Sequence, residues 1–139
     1  MKYQVLVLDL DGTLTNSKKE ITEPTRNALI EIQQEGRIVV LASGRPINGV
    51  VPLAEKLELK KYGGYMLSFN GARITQCSTG RLIYNKTVPP EVIRPIYEYV
   101  RDREGVNIIS YSDTAIFSAK EPGRYTLLES RINDMEVIG

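Results

Sequence analysis

Val5-Leu-Val-Leu-Asp-Leu-Asp-Gly-Thr-Leu14 is the stretch that decides the fold of this chain. Four apolar residues lead directly into Asp9, and this pattern predicts a buried strand over residues 3–8 with polar groups at its C-terminal end. Side chains alternate between the faces of a strand, so Asp9 and Asp11 are expected on one face and Leu10 on the core side. Two carboxylates on one face suit a hard cation, or a nucleophile paired with a general acid and base.

Two other interpretations of this acidic stretch are open. An acidic residue followed by glycine is common turn chemistry, and Asp-x-Asp-Gly also begins calcium-binding loops. Counted from Asp9, Glu20 occupies the twelfth position of an EF-hand loop, but the sixth position is Leu14 where such a loop has glycine. A hydrophobic strand, not a helix, precedes the loop, and this favours the paired carboxylates.

The composition restricts the partners and the compartment. The chain has 139 residues, 42% hydrophobic and 25% charged, which is the length and balance of one globular domain. A net charge of +1 favours neither nucleic acid nor an anionic membrane, and no apolar run approaches the roughly 20 residues of a membrane helix. One cysteine, Cys77, permits no internal disulfide, and no signal peptide is visible, so we expect a cytoplasmic protein.

The chain contains no histidine. This excludes Ser-His-Asp and Cys-His catalysis, histidine phosphatases and histidine-ligated zinc. Acid and base chemistry must then come mainly from carboxylates, lysine or tyrosine, which strengthens the case for the aspartates.

Strands and helices alternate through the first 85 residues. The patterns predict a helix from Thr22 to Gly36, a second strand over 38–42, a helix after Pro46, a third strand over 65–69 and a hairpin of strands 72–76 and 81–85. The first two strands form a βαβ unit and are expected to be parallel. Ligands of such sheets bind beyond the C-terminal ends of the strands, where Asp9, Ser43 and Asn70 follow successive strands and predict one shared site.

Pro89-Pro90 marks a boundary. Beyond it the patterns predict a helix over 91–104, a hairpin of strands 106–111 and 115–118, and a helix over 125–132. We therefore expect two parts, residues 1–85 and an α+β module over residues 86–139.

Three motifs carry a family resemblance. Asp9-Leu10-Asp11-Gly12-Thr13 resembles the DxDGT signature of the haloacid dehalogenase superfamily, whose phosphatases use an aspartate nucleophile. The stretches Leu41-Ala-Ser-Gly-Arg-Pro46 and Ser68-Phe-Asn-Gly-Ala72 are similar to motifs of its Cof-type, sugar-phosphatase-like branch. The resemblance implies an α/β fold in which residues 1–85 supply the first three strands of a Rossmann-like parallel sheet. Residues 86–139 would begin the inserted α+β cap domain.

The resemblance also implies a chemistry. Asp9 would attack phosphorus and form an aspartyl-phosphate, and Asp11 would protonate the leaving oxygen and then activate water. Mg²⁺ would be held by the Asp9 carboxylate and the Asp11 backbone carbonyl, and the substrate would be a small phosphorylated metabolite such as a sugar phosphate. Acting as an acid requires Asp11 to have a raised pKa.

Six further residues are candidates for binding the phosphate or the rest of the substrate. Ser43 would donate its hydroxyl to a phosphoryl oxygen, or would only cap the following helix. Arg45 would bind the substrate or hold a loop by a salt bridge, and Asn70-Gly71 would be a substrate-side loop or an ordinary turn. Backbone N–H groups near the loop glycines are further donors. The candidates are Gly12, Ser43, Gly44, Arg45, Asn70 and Gly71.

The chain departs from the family pattern downstream. A lysine that steadies the aspartyl-phosphate and an acidic Gly-Asp motif that completes the Mg²⁺ shell are not visible, and Asn133-Asp134-Met135-Glu136 lacks the glycine. The sequence therefore resembles an N-terminal portion of a longer phosphatase, with its first strand as an exposed apolar edge and with little activity alone. Two alternatives stay open: a module that binds Mg²⁺ or a phosphorylated ligand without turnover, and a sugar phosphotransferase.

Overall fold

The computed structural model of the protein describes residues 3–139. Two compact units divide the chain, one reaching to Lys86 and the other spanning Thr87–Gly139. The first contains a five-stranded sheet with helices, and the second a three-stranded sheet with helices. The α/β class expected from the sequence is confirmed.

The first unit is built around parallel strands that continue into a hairpin. The sheet order is β1-β2-β3-β4-β5, in which β1, β2 and β3 run parallel and β4 and β5 are antiparallel additions. The elements of this unit are β1 Val5–Asp9, α1 Glu23–Gln34, β2 Ile38–Ala42, α2 Ile47–Lys56, α3 Leu59–Tyr62, β3 Tyr65–Ser68, β4 Arg73–Gln76 and β5 Leu82–Asn85.

The core of the first unit lies where the helices cover the strands. Leu10, Leu41 and Leu57 are fully buried there, and Leu10 takes the core side as the strand pattern predicted. The other face of β1 is open, because Val5 is 50% and Val7 56% exposed. β1 lies at the edge of the sheet, so the prediction of an exposed apolar edge strand is confirmed.

Two local details differ from the sequence-based expectation. Thr22 occupies the N-cap of α1, but its hydroxyl pairs with the Thr25 hydroxyl at 2.9 Å instead of capping a backbone N–H. The short helix α3 was not expected; it follows Glu58, which adopts a left-handed conformation with φ of 55°. A helix of four residues is a single turn of backbone, which is too short to show an apolar periodicity in the sequence.

The second unit has a mixed sheet of order β6-β7-β8. β6 and β7 form the expected antiparallel hairpin, whereas β8 pairs parallel with β7 after the crossover through α5. The elements are α4 Pro90–Val100, β6 Ile109–Tyr111, β7 Ala115–Ser118, α5 Arg124–Asn133 and β8 Glu136–Ile138.

The segment between α4 and β6 corrects two predicted boundaries. The helix was expected to continue to residue 104 and the strand to begin at 106, but α4 ends at Val100 and β6 begins at Ile109. Lys120 explains the difference, since its ammonium donates to the carbonyl oxygens of Val100 and Arg103 at 3.2 and 2.6 Å. A cation from a distant loop thus satisfies the carbonyls that a longer helix would have used.

β8 was missed altogether. Asp134, left unassigned because its surroundings lack glycine, adopts φ of 50° and turns the chain from α5 into β8.

Among residues 3–139, no helix is long and apolar enough to cross a membrane.

Candidate active site

The loops that follow β1, β2 and β3 meet at one edge of the first sheet. Asp9 pairs with Ala42 in the strand register, and Ala42 with Leu67, so the three parallel strands end at the same level. Beyond them the Asn70 N–H donates to the Ser43 carbonyl at 3.0 Å. The sequence-based expectation that Asp9, Ser43 and Asn70 follow the ends of successive strands agrees with this arrangement.

The loop after β1 turns sharply and presents both aspartates to solvent. Gly12 adopts φ of +83°, a left-handed conformation that glycine tolerates without strain. Hydrogen bonds close the turn, since Leu14 N–H donates to the Asp9 carbonyl at 3.1 Å. The Thr13 hydroxyl reaches Asp9 Oδ2 at 3.4 Å, which is a weak hydrogen bond.

Asp11 is held by two cations. Arg45 binds it in a bidentate manner, with Nη2 at 2.6 Å from Oδ1 and Nε at 2.9 Å from Oδ2. The Lys19 ammonium donates to the same Oδ1 at 2.7 Å. Both carboxylate oxygens of Asp11 therefore accept charge-assisted hydrogen bonds.

Arg45 is fixed in place by its surroundings. Its third guanidinium nitrogen, Nη1, donates to the Gly49 carbonyl at 3.2 Å, and only 11% of its side chain is exposed. Its backbone carbonyl also accepts a hydrogen bond from the Phe69 N–H at 2.9 Å. Arg45 thus ties the loops after β2 and β3 to the Asp11 carboxylate after β1.

Lys19 is brought to Asp11 by a compact turn. The Asn16 side-chain oxygen accepts hydrogen bonds from the backbone N–H groups of Lys18 and Glu20, at 2.9 and 3.0 Å. Between them Lys19 adopts φ of 63°, which points the chain back toward the strand ends. An asparagine turn of this kind needs no contact from the lysine ammonium.

Ser43 and Gly44 lie in the loop after β2, between Arg45 and Asn70 in the contacts they make. Ser43 is buried, and its hydroxyl oxygen accepts a hydrogen bond from the Arg45 N–H at 3.2 Å, which leaves its own O–H as a donor. Pro46, not Ser43, is the N-cap of α2, so the expected alternative of a helix cap is wrong. A side-chain Cβ at Gly44 would lie 3.1 Å from Asn70 Oδ1, so the close approach of Asn70 favours glycine there.

The family model for haloacid dehalogenase-like hydrolases matches residues 6–137. The chain belongs to this family. The resemblance of its three sequence motifs is confirmed, because one match spans all three of them.

The chain spans about half the length of the relatives described here. A Streptococcus pyogenes protein provisionally named as a phosphatase is 31% identical over 138 residues, which cover 99% of this chain and 51% of the relative. The 5-amino-6-(5-phospho-D-ribitylamino)uracil phosphatase YcsE of Bacillus subtilis is 25% identical over 88% of this chain and 47% of its own. The crystal structure of a haloacid dehalogenase-like hydrolase from Bacteroides thetaiotaomicron superposes with a TM-score of 0.89 at 42% identity, covering 99% of this chain and 51% of that one.

The electrostatics of Asp11 in this structure differ from what the implied acid role requires. An acid role requires a raised pKa, but the hydrogen bonds from Arg45, and to a smaller extent the one from Lys19, lower the pKa of Asp11 from 3.8 to about 2. Partial burial acts in the opposite direction and is outweighed. In this structure Asp11 is therefore an ionised, paired carboxylate.

Sequence reasoning named Arg45 and left its role open between substrate binding and a salt bridge. The structure contains the salt bridge, with Asp11 as its partner. Sequence reasoning did not single out Lys19, which lies eight residues beyond Asp11. The signal that could have found Lys19 is Asn16, a residue that favours a turn back toward the strand ends. The last candidate, Gly71, follows Asn70 with φ of 85° in a single 3₁₀ turn.

Proposed function

We propose that this chain supplies the nucleophile and the general acid and base for Mg²⁺-dependent hydrolysis of small phosphate monoesters. The observation that carries the proposal is the position of Asp9 and Asp11. Asp9 is the last residue of the parallel strand β1 and Asp11 lies in the loop that follows, and both are exposed, in a member of the haloacid dehalogenase-like family. The family match and the phosphatase names of its relatives support the reaction class.

In the proposed reaction Asp9 attacks phosphorus and displaces the leaving oxygen, forming an aspartyl-phosphate. Asp11 gives its proton to that oxygen and then takes a proton from the water that hydrolyses the acyl phosphate. Ser43 contributes its free O–H to a phosphoryl oxygen, and backbone N–H groups beside Gly12 and Gly44 add donors. Because Asp11 is ionised in this structure, it must release at least one of the cations that hold it and take up a proton from solvent before the first step.

The residues at the site fit Mg²⁺ with water and phosphate completing the shell. Residues 3–139 contain no group of three or more His, Cys, Asp or Glu side chains that could hold a metal by themselves. Mg²⁺ needs no such cage, since it commonly uses one or two protein carboxylates together with phosphate oxygens and water. The Asp9 carboxylate and the Asp11 carbonyl would bind it, because the Asp11 carboxylate is taken up by Arg45 and Lys19. When bound, the ion neutralises the phosphate charge that would otherwise repel Asp9.

Small phosphorylated metabolites are the proposed substrates. The named activity of the Bacillus subtilis relative is hydrolysis of a phosphorylated ribityl compound, which supports sugar-like phosphates as a class. We assign the second unit, Thr87–Gly139, to the beginning of a cap that selects among them. Because this chain spans about half the length of its relatives, substrate choice is proposed for the whole protein.

The test is phosphate release by the whole protein that contains this chain, from a panel of sugar phosphates, with Mg²⁺ and with EDTA. We expect Mg²⁺-dependent release that Asp9→Asn abolishes and that Asp102→Asn, an exposed aspartate of the second unit, leaves unchanged. Acid quenching with mass spectrometry should find a phosphoryl group on the peptide that contains Asp9. Release that survives Asp9→Asn would refute the nucleophile, and phosphate binding without release would favour the ligand-binding module.

A further inference from the structure

Asp11 is paired with Lys19 and Arg45, and together with Asp9, two residues away in the chain, these side chains make a cluster of four charges that sum to zero. Asp9 and Asp11 carry two negative charges, and Lys19 and Arg45 carry two positive charges. Adding a divalent cation and a phosphate dianion leaves the total charge unchanged. Binding the substrate together with the cation therefore leaves the net charge at zero, but the ion pairs of the cluster must be rearranged.

The two cations differ in their freedom to move. Arg45 is anchored to the Gly49 carbonyl and is 11% exposed, so moving it would break a buried network. Lys19 is 52% exposed, and among residues 3–139 its ammonium group is held by one hydrogen bond, to Asp11 Oδ1. An exposed ion pair of this kind is weak and exchanges readily.

Asp11 Oδ1 accepts hydrogen bonds from both cations, whereas within residues 3–139 Oδ2 accepts its side-chain hydrogen bond from Arg45. A carboxyl group that transfers a proton needs one oxygen free for the reacting atoms. Departure of the exposed cation reduces the crowding at Oδ1 with the least disturbance of the fold.

We propose that Lys19 is a mobile phosphate-binding residue, which leaves Asp11 Oδ1 and binds the phosphate group when it enters beside Asp9. This inference rests on the proposed function. The distance to be crossed is short, because the Cα atoms of residues two apart in a chain are separated by at most about 7 Å and Lys19 already lies 2.7 Å from Asp11. The proton stays on the ammonium, and one ion pair is exchanged for another with a more highly charged anion.

The turn that carries Lys19 does not depend on the ammonium group. Asn16 holds the turn through the backbone N–H groups of Lys18 and Glu20, so Lys19→Met preserves these bonds. Lys18 is an exposed lysine of the same turn and provides the matched control, Lys18→Met.

The experiment is a titration of the chain with inorganic phosphate in the presence of Mg²⁺, followed by phosphorus NMR. We expect Lys19→Met to weaken phosphate binding about fivefold, which corresponds to about 1 kcal/mol for a partly exposed charge. Lys18→Met should bind as the wild type does, and Lys19→Arg should retain most of the affinity because it keeps the charge. In protein with carbon-13-labelled lysine, phosphate should shift the Cε signal of Lys19 and not that of Lys18.

The outcomes separate this inference from the proposed function. Wild-type binding that Lys19→Met leaves unchanged, or a Lys19 signal that phosphate does not move, would overturn the role of Lys19 and leave the phosphatase proposal standing. Wild-type protein that binds no phosphate with Mg²⁺ would overturn both.

Discussion

Replacing Arg45 by methionine is expected to raise the pKa of Asp11 by about one unit. Arg45 donates to both carboxylate oxygens and is the main reason that this pKa lies at about 2 instead of 3.8. Lys19 also donates to Asp11, at 2.7 Å, and is not replaced in the variant, so we expect the return toward 3.8 to be partial. One pKa unit corresponds to about 1.4 kcal/mol, and because the Asp11 side chain is 39% exposed, screening reduces its contribution to stability to about 1 kcal/mol or less.

The sign of the pH dependence follows from the lowered pKa. Stability from this pair is fully present above the unfolded-state pKa of 3.8 and is lost as the pH falls through the folded-state value of about 2. Methionine at position 45 removes most of this contribution, so the difference in unfolding free energy due to the pair is largest near neutral pH and shrinks in acid.

The assay is NMR titration of the Asp11 side-chain carbon in wild type, Arg45→Met and a control, Arg26→Met. Arg26 forms a comparable pair with Glu58 at 3.1 Å but lies away from Asp11 among the described contacts. Its replacement should leave the Asp11 titration unchanged. A wild-type Asp11 that titrates near 3.8, or one that Arg45→Met does not move, would refute the reasoning.

Three further predictions concern packing and reactivity. Gly64→Ala should cost about 3 kcal/mol in urea unfolding, since its Cβ would lie 2.6 Å from the Val39 carbonyl oxygen; an unchanged midpoint would contradict this contact. Burial raises the pKa of the Cys77 thiol from 9.0 to about 11, so alkylation at pH 8 should be about 100-fold slower than in urea, and equal rates would contradict the burial. Lys120→Met should speed amide hydrogen exchange at the end of α4 near Val100, with no change in α1.

Much of the fold could be predicted because it depends on local patterns. The apolar run before Asp9 predicted β1, and glycine at position 36 predicted the end of α1. β8 could not be predicted in this way, since its three residues form a strand only by pairing with β7. The end of α4 likewise depends on Lys120, a residue that no pattern within the helix reveals.

For the candidate site, too, local sequence predicts one part and tertiary contacts decide the other. The sequence alone determined which residues follow the parallel strands, because the position of each strand along the chain and the motif around Asp9 are properties of short segments. Only the tertiary structure decided the state of Asp11. Its carboxylate pairs with Lys19, eight positions away, and with Arg45, 34 positions away, and these pairs shift its pKa in the direction opposite to the one that an acid role requires. Local sequence specifies a strand and its turn, but the charge environment of a side chain is set by whichever distant residues the fold brings within hydrogen-bonding distance.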